Sequence, residues 1–283
     1  MSFTYEIPNI NDPYISADWI ELFTVVTGNN ISRAEYQDFL ESTQGYDADE
    51  YDLGIIDSIW QILEEREVLY GDNPPYNVDN TVIRSNVSDW KTVPYQLMCL
   101  IFSLEGNDHI VGYSSSVSGT LFERVVKEAT RSFFRGDAYI FGYPNESLEV
   151  FANGLSEIDF RSAMHPDYND AGLDVLGTGP FNDGRNNDLS IIIQCAAGKN
   201  WVNKTTDIDL AEWVEWLKFS IVPTKGFAVP IFMKPRDVYK RSKKMGLLID
   251  RPRIYKSLLS SDFSAIQAEI ENWCTTRLTQ LTA

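Results

Sequence analysis

The sequence predicts an α/β protein, a mixed sheet flanked by helices and preceded by a separate helical domain. Three observations carry this expectation. Up to about residue 106 the apolar residues recur at three- and four-residue spacing, whereas beyond 119 short apolar runs alternate with amphipathic helices. The charge changes at the same place: residues 1–110 hold 4 Lys/Arg against 20 Asp/Glu, a net of −16, and residues 111–283 hold 20 against 21, a net of −1. A length of 283 residues accommodates two domains, here an acidic helical one over 1–110 and an α/β one over 111–283.

The helical part opens with "ISADWIELFTVV". In "SRAEYQDFLES", Ser32 stands three residues before Glu35, the capping-box arrangement in which each side chain satisfies the other's backbone N–H. "DEYDLGIIDSIWQILEEREVLY" reads as a long amphipathic helix and "VPYQLMCLIFSLE" as a mostly apolar one. Between them "YGDNPPYNVDN", rich in Pro, Asn and Asp, reads as a loop. A boundary is expected in "GNDHIVGYSSSVSG" (106–119).

After it comes an amphipathic helix, "TLFERVVKEATRSFFRG", stopped by Gly136, then a short strand in "DAYIFGY" and an inserted helix in "SLEVFANGLSEIDF". The strand "LDVLG", the turn-rich link "TGPFNDGRNN", the strand "LSIIIQCA", the helix "IDLAEWVEWLKFS" and the strand "GFAVPIFM" follow, with a last helix at about 262–281. Without the insert, 119–232 runs helix, strand, strand, strand, helix, strand.

No basic segment followed by an apolar run opens the chain, and no stretch approaches the roughly 20 apolar residues that cross a bilayer, so the expectation is a cytoplasmic protein without a membrane contact. Cys99, Cys195 and Cys274 are scattered and odd in number, as reduced core thiols are. His109 and His165, the only histidines, read as loop or surface residues. "KPRDVYKRSKKMGLLIDRPRIYK" (234–256) keeps a local net of +7, from nine basic and two acidic residues, and is expected to present a basic surface toward the site described next.

The chemistry-bearing candidates lie in the two middle strands. Asp174 is flanked by Leu173, Val175 and Leu176, where a carboxylate is costly unless it meets a cation. Gln194 closes "LSIII", with Ala196 on its face and Cys195 on the other by the period of two. If the strands pair, Asp174 and Gln194 reach one point, and oxygen ligands from adjacent strands suit Mg²⁺ or Mn²⁺. Glu123, one turn into the preceding helix, adds a second carboxylate; Lys199 or Lys204 would supply a positive group, with Lys204 favoured because Lys199 lies in a glycine turn. Taken singly, each has an ordinary reading: an end-of-strand Asp, a buried Gln bonded to backbone, a solvated Glu. Trp201, Trp213 and Trp216 read as packing residues.

At these residues the chain resembles the PD-(D/E)XK nuclease superfamily, the restriction-endonuclease-like fold, and within it a defence-associated branch that carries glutamine in a "QCA-G-NW" segment such as Gln194 to Trp201. The resemblance covers roughly 119–232. It places the family's first acid on Asp174, the second on Gln194 and the first-helix glutamate on Glu123. The family's lysine position, two residues after the second acid, is Ala196 here, so that role passes to Lys199 or Lys204 or is lost.

The resemblance implies a Mg²⁺- or Mn²⁺-dependent endonuclease that hydrolyses phosphodiesters in anti-phage defence, with nucleic acid, DNA ahead of RNA, as substrate. The alternative is a catalytically inactive scaffold or sensor subunit with the same fold. Because an acidic chain binds DNA weakly unaided, a partner that holds nucleic acid is expected, an ATPase subunit by analogy with defence systems; the acidic helical part would dock or restrain.

Overall fold

The computed structural model describes residues 12–44, 53–106, 114–142, 144–155, 158–164, 170–181, 183, 185, 188–259 and 261–281. His109, His165 and residues 107–113 of the expected boundary lie outside this set. The chain divides into two compact units, Met1–Gly112 with Ser264–Ala283, and Tyr113–Phe263.

In the first unit α1 (Pro13–Thr27) starts where Asp12 accepts the Tyr14 N–H, with Pro13 opening the helix, and stops at Gly28 in the left-handed region, φ 68°. The short β1 (Ile31–Ser32) leads into α2 (Arg33–Gln44). There the capping box forms as its spacing predicts: the Ser32 N–H donates to Glu35 Oε2 at 2.7 Å and the Glu35 N–H to Ser32 Oγ at 3.2 Å. The Ser32 hydroxyl, which donates to Glu35 Oε2 at 2.7 Å, and then the Ser32 N–H lower the Glu35 pKa.

After α3 (Leu53–Tyr70) the segment expected to be a loop contains a strand. β2 (Tyr76–Asp79) pairs antiparallel with β3 (Val82–Ser85) across the two-residue turn Asn80–Thr81, and β1 completes a small sheet in the order β1-β3-β2. α4 (Pro94–Glu105) is buried from Pro94 to Phe102.

A polar network is buried inside this unit. Arg66, 1% exposed, donates through Nη1 to Asp18 Oδ1 and to Glu21 Oε1, both at 2.7 Å, and through Nη2 to the Tyr14 carbonyl. Tyr70 and Tyr76 donate to Glu21, Gln96 donates to Tyr70, and Ser103 donates to Asp18.

The second unit begins with α5 (Ser115–Phe134), capped by Ser114 Oγ on the Val117 N–H and ending at Arg135 in the left-handed region. Then come β4 (Ala138–Ile140), α6 (Leu148–Asn153), β5 (Asp159–Phe160), β6 (Val175–Gly179) and β7 (Leu189–Cys195). α7 (Leu210–Trp216) is shorter than its periodicity predicts, because the next two residues, β8 (Leu217–Lys218), turn extended to pair with β5. β9 (Thr224–Ala228), α8 (Pro235–Met245), β10 (Leu247–Ile249) and α9 (Arg251–Leu259) follow.

Five strands form one mixed sheet in the order β10-β9-β7-β6-β4. β10, β9 and β7 run parallel, while β6 is antiparallel to both β7 and β4. β7 is central and buried from Ile191 to Cys195, which is why it reads as a continuous apolar run rather than an alternating one.

Side chains alternate between two layers. Leu176 and Ile192 pack with residues of α6 and α7, including Trp213 and Trp216, and Phe227 packs with Met245 of α8. On the other face α5 comes close at Gly177, where a Cβ would lie 2.4 Å from Thr130 Cγ2, so only glycine permits this approach.

The chain then returns to the first unit. α10 (Ser264–Leu281), read from sequence as the end of the second domain, packs on α4: Phe102 and Trp273 have ring centroids 5.0 Å apart and Arg277 pairs with Glu105. Cys99, Cys195 and Cys274 are buried free thiols. Among the described residues no helix is long and apolar enough to cross a membrane.

Candidate functional site

The sheet's topology brings the two strand candidates to one end. β6 begins where the antiparallel β7 finishes, so Asp174, just before Val175, and Gln194, next to Ile193, lie at the same end of neighbouring strands. β9 and β10, parallel to β7, finish at that end as well.

A tight turn delivers Asp174. Asp170 accepts the Gly172 N–H on Oδ1 and the Leu173 N–H on its carbonyl, both at 2.9 Å. Ala171 and Gly172 take φ of 45° and 76°, and the left-handed alanine is a strained position. Trp213 holds it there by donating its indole N–H to the Ala171 carbonyl at 3.3 Å. Gly172 is favoured by its φ, and a Cβ there would press on Ile208 Cγ1 at 3.1 Å and Asp207 Cβ at 3.2 Å.

Asp174 is partly buried, and its Oδ2 accepts the Cys195 N–H across the strands at 2.6 Å. Burial pushes its pKa up to about 8, assisted by the charges of Glu123 and Asp170 and opposed by the Cys195 N–H and by Lys204. Glu123 is raised too, first by burial and then by Asp170, with Lys204 again opposing. Because α5 starts at Ser115, Glu123 lies about two turns into the helix rather than one. The Cys195 thiol is pushed well up by burial, Asp174 and Glu123, which keeps it protonated and unreactive. Among the described residues no lysine or arginine forms an ion pair with Asp174 or Glu123.

Gln194, 4% exposed, donates from Nε2 to Asp207 Oδ2 at 2.7 Å. A carboxylate only accepts, so Asp207 fixes which end of the carboxamide faces it and turns Oε1 the other way. Asp207 thus binds Gln194 while its Cβ backs the Gly172 turn that carries Asp174. Lys225 of β9 supports the same corner, with Nζ donating to the Ile208 carbonyl at 2.8 Å; burial lowers its pKa and Asp209 and Asp207 raise it.

The two candidate lysines separate. Lys204 ends a 3₁₀ turn, Trp201–Lys204, and its charge acts on Asp174, Glu123 and Cys195. Lys199 is exposed in the turn after β7 and has no part among the groups that shift those carboxyls. Ala196, 2% exposed, lies in the apolar cluster of Phe227, Val229 and Met245.

Asp170, Asp207 and Lys225 join the corner without being among the residues the sequence marks as candidates. The run "NDAGLD" signals an Asx-type turn through its Asp-x-Gly spacing. Nothing local marks Asp207 or Lys225, whose roles come from contacts across the unit.

By donor type Asp174 and Glu123, two ionisable carboxyls without a paired cation, suit a hard divalent ion; the Gln194 carboxamide leaves the sheet on the Ile192 face, opposite the face that α5 and Glu123 cover. Among the described residues no three His, Cys, Asp or Glu side chains are grouped to hold a metal ion. Comparison with family models, curated proteins and solved structures returned no match.

Proposed function

We propose that the chain is a Mg²⁺- or Mn²⁺-dependent nuclease with a restriction-endonuclease-like fold, acting on nucleic acid in anti-phage defence together with a protein partner such as an ATPase subunit. The observation that carries this reading is Asp174, a strand-end carboxyl raised to about 8, with Glu123 beside it and the Lys204 charge opposing both shifts. Perturbed carboxyls arranged with one lysine are what metal-assisted phosphodiester hydrolysis requires.

Asp174 and Glu123 would hold the ion, which when bound would polarise the phosphate and lower the pKa of its water. The protein's own part is to release the Asp174 and Glu123 protons, so affinity for the ion should rise with pH up to about 8. Lys204 would orient the attacking water and offset the charge on the oxygens of the pentavalent phosphate.

A second reading, a scaffold subunit that keeps the fold without the chemistry, draws on Ala196. The residue at the family's lysine position is an alanine packed in an apolar cluster, which offers a long cation no polar surroundings.

Nuclease assays of the purified protein, alone and with its genomic neighbours, separate the two. Asp174→Ala is expected to abolish Mg²⁺- or Mn²⁺-dependent cleavage, and Lys204→Ala to lower turnover more than metal affinity. A wild type that cuts nothing under any metal or partner condition, while Asp174→Ala keeps the biological phenotype, would leave the scaffold reading in place.

A further inference from the structure

α8 has two unlike sides. Val238 and Met245 pack in the apolar cluster with Phe227 and Val229, and the Arg241 guanidinium sits 5.4 Å over the Trp201 ring on this inner side. Arg236, Lys240, Lys243 and Lys244, spaced four, three and one residues apart, form one outward stripe, and all four are exposed. Tyr239 stands within that stripe, three residues after Arg236 and four before Lys243, and is 87% exposed.

We propose that this stripe is a binding track for single-stranded nucleic acid, with Tyr239 as a base-stacking platform and Arg236, Lys240, Lys243 and Lys244 as phosphate contacts. The cations alone would suit any polyanion. The aromatic ring narrows the choice, because nucleic acid supplies planar faces along a chain of phosphates, and only unpaired bases offer those faces to a side chain. Arg236 to Lys244 spans about 12 Å at the helical rise, enough for more than one phosphate contact.

Charge argues for this helix over the rest of the unit. Residues 113–263 hold 19 basic and 19 acidic residues, and 234–256 alone hold nine and two, so the remainder of the unit is acidic and repels a polyanion. The track also adjoins the candidate site: Arg241 covers Trp201, the first residue of the turn that ends in Lys204. The inference rests on the nuclease reading for what the strand is brought to. Binding itself is measured without cleavage.

The test is fluorescence anisotropy of the full chain in EDTA with labelled oligo-dT, oligo-U and a DNA duplex across a salt series. Both single strands should bind more tightly than the duplex, with the dT and U arms ranking DNA against RNA. Tyr239→Ala should weaken single-strand binding about 5- to 100-fold with the salt slope unchanged, and Tyr239→Trp should restore it. Lys240→Ala with Lys243→Ala should weaken binding and reduce the slope of log K against log salt by about 1.4, from roughly 0.7 per contact on a single strand.

Substitutions at exposed positions of this kind leave stability nearly unchanged, so loss of fold does not mimic the result. Equal binding of the duplex, a silent Tyr239→Ala or an unchanged salt slope would overturn the proposal. Metal-dependent cleavage that persists unaltered in the α8 variants would remove the track and leave the nuclease reading standing. Strand binding as described without cleavage under any condition would remove the nuclease reading alone.

Discussion

The two units bury carboxyl groups in opposite ways. In the first, Asp18 and Glu21 are enclosed, yet Arg66 donates to both, Tyr76 shares Glu21 Oε1 with it, and Tyr70, Gln96 and Ser103 donate to the remaining oxygens. In the second, Asp174 has one backbone N–H, burial and then Glu123 and Asp170 raise its pKa, and Lys204, which opposes the rise, is exposed and, among the described residues, not in an ion pair with it. A network with its donors supplied locks a core in one arrangement. A carboxyl left short of positive charge holds its proton and gains by meeting a cation from outside, which is the condition of a binding site.

Removing the supplied cation is the largest test of that contrast. Arg66→Ala leaves Asp18 and Glu21 enclosed without their partner and should destabilise the first unit by about 3–5 kcal/mol, read as the shift of a denaturant midpoint. A loss below 1 kcal/mol would show that water takes over the Arg66 bonds and that the network is no tighter than the other site.

The opposite substitution in the second unit should stabilise. A carboxyl whose folded pKa is raised makes the native state bind more protons than the unfolded one between its ordinary value, near 4, and about 8. Its stability contribution therefore falls as pH rises through that window and is lowest above it. Asp174→Asn keeps an oxygen for the Cys195 N–H and abolishes the titration. It should match wild type near pH 4 and exceed it by about 3 kcal/mol at pH 9, roughly half of what the full span gives, because the side chain is partly open to solvent. Parallel denaturation curves for the two proteins from pH 4 to 9 check this, and a constant gap would show that Asp174 titrates normally.

Mn²⁺ should sharpen the same comparison by raising the wild-type melting temperature and leaving that of Asp174→Asn in place.

A smaller effect is expected at Gln194. The Gln194 amide nitrogen bonds Asp207 at 2.7 Å, so Gln194→Glu sets two carboxylates against each other. The single variant should lose about 1–3 kcal/mol of stability. The pair Gln194→Glu with Asp207→Asn should recover it, as calorimetry would measure. If the single variant is as stable as wild type, Asp207 does not hold the carboxamide.

Legible in the sequence were the α/β class of the second part, the helical character of the first, the Ser32–Glu35 cap, a strand over "LSIIIQCA" and, given that the two strands pair, the nearness of Asp174 and Gln194. Each is a local pattern or a consequence of the strand period. Tertiary structure alone decided the rest. β2 and β10 have four and three residues, too few for a pattern to outweigh the prolines and cations around them, and they exist through pairing with β3 and β9. α10 joins the first unit through Trp273 and Arg277, partners of Phe102 and Glu105 more than 170 residues away in sequence. The candidate site is shaped in the same way: Asp170, Asp207 and Lys204 act on Asp174 and Gln194 through burial and charge, and these depend on distances in space that no spacing along the chain encodes.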